Sequence, residues 1–142
     1  MSHLPVNHPL RPLYRVLAAV SGSYVLAFGV AGIIEAKGTS WFGRGETVAL
    51  GLRTNLAFAL ASVVAGAVIL FAGLIGRNFD TWVNLLGGVV FLVAGTAMLA
   101  LINTDLNVLN FAIETVIVSF VIGMALLAAG LYGRSAPRAV TA

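Results

Sequence analysis

The chain has 142 residues, 60% of them hydrophobic and 9% charged, with a net charge of +3, no cysteine and a mean hydropathy of +1.03. Soluble domains carry about 45–50% apolar and about 25% charged residues, so this composition belongs to an integral membrane protein. It excludes intrinsic disorder, which needs low hydrophobicity and high charge, and it excludes disulfides, thiol redox centres and cysteine-held zinc. Eight cations on so apolar a chain do not make a nucleic-acid surface; the lipid bilayer is the partner they suit.

A membrane helix needs about 20 mostly apolar residues. Four stretches qualify, at 13–34, 55–76, 81–102 and 108–133. They predict an all-α integral membrane protein, a four-transmembrane-helix bundle occupying 13–134 between an N-terminal tail (1–12) and a C-terminal tail (135–142). Barrel strands are excluded, because the apolar runs are unbroken where strands need alternation over about 10 residues. The first span is too long for a signal-peptide core and lacks a small-residue cleavage site. The long connection from Glu35 to Thr54 holds Trp41-Phe42 and reads as an interfacial loop with a helical turn near Val48–Leu52. Two later connections, 77–80 and 103–107, are so short that the helices they join must be antiparallel neighbours. Asp80 or Thr81 is expected to cap the third helix and Asn107 the fourth. Arg11, Arg15, Arg77, Arg134 and Arg138 fall on one side as headgroup contacts, against Lys37, Arg44 and Arg53 on the other. Both termini are therefore expected to be cytoplasmic.

The second and fourth spans repeat each other. Residues 62–77 and 119–134 agree at nine of sixteen positions at an offset of 57. The first and third match more weakly, with Phe28, Val30-Ala31-Gly32 against Phe91, Val93-Ala94-Gly95. This pattern predicts two duplicated helical hairpins related by an axis along the membrane normal. At 100° per residue, Ser62, Gly66, Gly73 and Gly76 share one face, as do Ser119, Gly123, Gly130 and Gly133 with Thr115. Faces of small residues let backbones approach closely, so these are read as helix-packing positions, with the second and fourth helices meeting at a common seam.

Chemistry-bearing residues are few. Glu114 is the one charge well inside a span, and an intramembrane carboxylate is a functional-site hypothesis by default. Its expected partner is Arg53 or Arg44 from the long loop, as an intramembrane ion pair. The two histidines, His3 and His8, lie in the N-terminal tail, so haem ligation within the bundle is excluded and no metal or cofactor is expected. No serine has a base placed to activate it, and no phosphate loop is present, so no enzyme activity is expected. Asn55 and Asn84 read as caps or headgroup contacts, and Trp41, Trp82, Tyr14 and Tyr132 as an aromatic belt.

The order of several motifs is similar to the bacterial four-helix membrane proteins catalogued as domain of unknown function 4383. The residues that carry it are Tyr14-Arg15, Gly51-Leu52-Arg53-Thr54-Asn55, Gly76-Arg77-Asn78-Phe79, Val83-Asn84, Thr104-Asp105-Leu106-Asn107-Val108-Leu109, Val118-Ser119-Phe120-Val121-Ile122-Gly123 and Ala129-Gly130-Leu131-Tyr132-Gly133-Arg134. The resemblance covers about residues 10–134 and implies a four-helix fold in a bacterial plasma membrane, not an activity. With no catalytic constellation and with faces suited to helix contact, the expected role is a non-catalytic accessory or scaffold subunit of a larger membrane complex, respiratory assemblies among the hosts. Other membrane protein subunits are the expected partners. The alternatives are a small homo-oligomeric transporter or channel lined by Glu114, Asn55, Ser62 and Ser119, and a lipid-interacting membrane organiser.

Overall fold

The computed structural model describes residues 5–136. Its elements in chain order are α1 (Arg11–Glu35), β1 (Val48–Ala49), β2 (Leu52–Arg53), α2 (Leu56–Ile75), α3 (Phe79–Leu101) and α4 (Ile113–Tyr132). All four helices are long and apolar enough to cross a membrane, and they pack as a bundle. Contacts are densest inside the hairpins α1–α2 and α3–α4; α1 also touches α4 and α2 touches α3, which closes a ring. The expected α2–α4 seam is not formed. The small faces of α2 and α4 are used inside the hairpins instead, against α1 and α3, where close backbone approach is possible.

Those faces bring backbones together at defined points. A Cβ on Gly66 would lie 2.5 Å from the Leu26 nitrogen and 2.8 Å from the Gly22 oxygen; one on Gly123 would lie 3.1 Å from the Gly88 oxygen. Gly22 faces Leu70 as Gly88 faces Leu127, and Gly29 meets Val63 as Gly95 meets Phe120. All three correspondences share one mapping, 57 residues from α2 to α4 and 66 from α1 to α3. The hairpins are thus related by a pseudo-twofold axis along the bundle. The Phe28–Phe91 alignment of the first and third spans, at 63, was displaced by about one helical turn, because Phe-Val-Ala-Gly composition repeats more freely than the packing glycines do.

At one end, the N-terminal segment, the α2–α3 turn and the chain after α4 meet. The Asn7 N–H donates to Arg134 O at 3.0 Å, and Asn78 exchanges bonds with Ser135, each 2.9 Å. At the other end, residues 36–55 and 102–112 form a folded lid. The helical turn expected at Val48–Leu52 is instead a two-residue hairpin, with Val48 paired to Arg53 and Ala49 to Leu52. Leu50 and Gly51 at its tip both have positive φ (47° and 82°), as a I′ turn requires.

Helix starts also differ from expectation. Asn78, Asp80 and Thr81 provide no side-chain cap to α3: Asn78 holds Ser135, and Asp80 is buried. α4 begins at Ile113 rather than Val108. Asn107 does not cap it, but accepts from Phe111 N–H at 3.0 Å and shapes the preceding turn. Asn55 does cap α2, accepting from Phe58 N–H at 3.0 Å.

Candidate functional site

The lid is stitched by buried amides. Asn55, 2% exposed, donates to Val108 O at 2.8 Å; Asn110 donates to Thr54 O at 2.9 Å and Gly45 O at 3.0 Å. Arg44 lies 3.6 Å from the Asp105 carboxylate and also donates to the Asp105 backbone carbonyl. These bonds join residues 44–55 to residues 105–110, which are far apart in sequence. They place Leu52 and Leu109 over the centre of the bundle.

Beneath them lies a cavity of about 250 Å³ with an almost wholly apolar wall. It sits on the pseudo-twofold axis. Seven pairs of equivalent positions line it: Tyr24 and Val90, Val25 and Phe91, Phe28 and Ala94, Phe58 and Thr115, Ala61 and Val118, Ser62 and Ser119, Ala65 and Ile122. Its polar atoms are turned to the backbone. Ser62 donates to Phe58 O at 2.8 Å, and Ser119 reaches across to Phe91 O at 2.7 Å. Both hydroxyl protons are thereby committed to backbone carbonyls.

The sequence-derived site residues separate into groups. Gly66, Gly123 and Gly130 sit at helix–helix contacts, Gly130 against Leu85 of α3. Gly73 has open space where a Cβ would be. Gly76 serves the α2–α3 turn with φ of 63°, and Gly133 caps the end of α4. Glu114 is an exposed residue in the first turn of α4, where a carboxylate suits the helix dipole. The expected Glu114–Arg53 ion pair is not formed: Arg53 lies 3.9 Å from Glu46, and Glu114 has no ion-pair partner among the described residues. The later start of α4 is the reason, since it moves Glu114 from within the span to the helix end.

Two headgroup candidates also serve helix ends. Arg11 Nε donates to Gly133 O at 2.8 Å, and Arg15 donates to Gly73 O at 3.3 Å, meeting carbonyls that a terminating helix leaves unpaired. Arg77 and Arg134 are exposed at the same end. Arg138 and His3 lie outside the described residues. His8, Tyr14 and Tyr132 cluster there, with the tyrosine rings stacked 5.2 Å apart.

Sequence reasoning missed the lid contacts and a second polar locus. Asp80 and Asn84 are 6% and 5% exposed and line a groove with Arg15. Their signal was present: two polar residues at i and i+4 on an otherwise apolar helix.

Fold and site together define a multi-pass membrane protein with a duplicated four-helix bundle and a partly open apolar chamber between its hairpins. In comparisons with known proteins, no family model, no curated protein and no solved structure matches the chain.

Proposed function

We propose that the protein is a non-catalytic, lipid-interacting membrane protein of the bacterial inner membrane that holds an apolar molecule, or the end of a lipid chain, between its hairpins. The chamber on the pseudo-twofold axis carries this reading. A dry apolar cavity of about 150 Å³ takes up benzene, so 250 Å³ suits a larger hydrocarbon but not a drug-sized polar ligand. The less extensive contacts between hairpins, relative to those within them, supply the seams through which a chain enters from the bilayer.

The accessory-subunit reading rested on small-residue faces, and those faces are engaged inside the hairpins at Gly22, Gly66, Gly88 and Gly123. The channel reading needed Glu114, Asn55, Ser62 and Ser119 on one path. Asn55 is bound in the lid and both serines are bonded to carbonyls. The test is native mass spectrometry of the protein purified in mild detergent. One apolar molecule per chain is expected in the wild type, and its loss is expected in Ala94→Phe, which puts a ring opposite Phe28 into the chamber. Stoichiometric recovery of a larger complex with no retained small molecule would favour the accessory subunit instead.

A further inference from the structure

A separate groove opens at the opposite end of the bundle, where the helix starts of α1 and α3 and the end of α2 converge. It has a volume of about 570 Å³. One wall is apolar, formed by Val16, Leu70 and Leu74; the polar residues are Arg15, Asp80 and Asn84. Asp80 is 6% exposed, and among the described residues it has no ion-pair partner and no side-chain hydrogen bond. Asn84 is 5% exposed, and its Oδ1 is buried without a hydrogen-bond partner. Buried polar groups are nearly always satisfied, so the Asn84 oxygen calls for a donor; Asp80 is a first-turn carboxylate as Glu114 is, but unlike Glu114 it is buried beside that oxygen in the groove. Both residues can be satisfied by one kind of ligand, a cation that donates several hydrogen bonds. Arg15 stands at the same groove on α1, with one guanidinium nitrogen bonded to Gly73 O and further donors uncommitted among the described residues.

We propose that this groove binds the zwitterionic headgroup of an aminophospholipid, with the primary ammonium on Asp80 and Asn84, the phosphate on Arg15, and a chain along the Val16–Leu70–Leu74 wall. The depth is suitable. Asp80 is the second residue of α3 and Asn84 lies one turn further in, so the site is at headgroup level. The pseudo-twofold mate of Asn84 is Ala18 and that of Asp80 is Tyr14, so the polar pair has no counterpart in the first hairpin. The asymmetry separates this site from the symmetric packing scheme that explains most other intramembrane positions. A quaternary ammonium has no N–H to give to Asn84, and an anionic glycerol headgroup offers Asp80 neutral hydroxyl donors but no cation. The site therefore discriminates by headgroup and not by chain.

The test uses the full-length protein in nanodiscs with equal amounts of phosphatidylethanolamine, phosphatidylcholine and phosphatidylglycerol of matched chains, read by native mass spectrometry after release. Retention of the ethanolamine lipid over the choline lipid by about tenfold is expected for a charge-assisted pair. Asp80→Asn, close in shape, is expected to abolish that preference in a protein that stays monodisperse. Equal retention of the ethanolamine and choline lipids by the wild type overturns the proposal without reference to any variant. Preferential retention of phosphatidylglycerol also overturns it, as Arg15 alone would then account for binding. So does an ethanolamine preference that survives Asp80→Asn. The readout is headgroup identity, so its failure is distinct from that of the chamber.

Discussion

Single side chains settle how the lid end is built. Asn55, 2% exposed, performs two tasks at once: it caps α2 and bonds the Val108 carbonyl. Asn55→Ala removes the cap and the bond to the Val108 carbonyl, so a loss of about 1–3 kcal/mol is expected from the two effects together. Thermal unfolding in detergent measures it, and a change below half a kcal/mol would mean the lid is not coupled to the bundle. Glu114→Gln is the contrasting case. The residue is exposed and has no ion-pair partner among the described residues, so only its interaction with the α4 dipole is lost: stability is expected to fall by no more than about 1 kcal/mol and lipid retention to stay unchanged. At this scale the sequence was informative about Asn55, whose position before an apolar run is a cap signature. It misled at Glu114, because Val108, Leu109, Phe111 and Ala112 are apolar and the single Asn110 among them does not announce a turn. That turn is fixed by tertiary bonds, Asn110 (φ 55°) donating to Thr54 and Gly45, which no local pattern reports.

Elements pair through glycine contacts, and those contacts rank the glycines. Gly66→Ala and Gly123→Ala place a methyl group against backbone of the partner helix and force it apart, so each is expected to destabilise its hairpin by about 1–3 kcal/mol. Gly73 belongs to the same sequence face but meets open space, and Gly73→Ala is expected to be neutral or stabilising by up to about 1 kcal/mol through helix propensity. Unfolding of the three variants side by side reads the ranking; a Gly73→Ala loss equal to that at Gly66 would contradict it. The four helices were legible because each is about 20 apolar residues between polar breaks. Their partners were less so. Small residues announce a close contact without saying which helix makes it, and the two faces expected to meet are engaged by α1 and α3 instead.

For the whole molecule, duplication produces a bundle whose hairpins are internally tight and meet around a symmetric apolar chamber. The shared end that holds both described termini and the α2–α3 turn carries Arg11, Arg15, Arg77 and Arg134, while Arg44 and Arg53 lie in the lid and Lys37 leads into it. The positive-inside rule predicts from this that the lid lies outside. A cysteine introduced at Ser40 is expected to react with an impermeant maleimide from the periplasmic side and one at Ser135 only after the membrane is opened; the reverse pattern would invert the topology. Nothing in composition disclosed the chamber, since its walls are the same Ala, Val, Phe and Leu that face lipid elsewhere.

The most direct measurement of chamber occupancy uses the chain's own methionines. Met98 lines the chamber, whereas Met124 is 66% exposed on the outer face of α4. Replacing methionine with its photoreactive diazirine analogue during growth labels both sites in one molecule with little change of shape. After illumination, Met98 is expected to carry one or a few defined apolar adducts, and Met124 a mixture matching the bulk lipid. Adducts at Met98 that mirror those at Met124, or crosslinks at Met98 to protein alone, would contradict an occupied chamber.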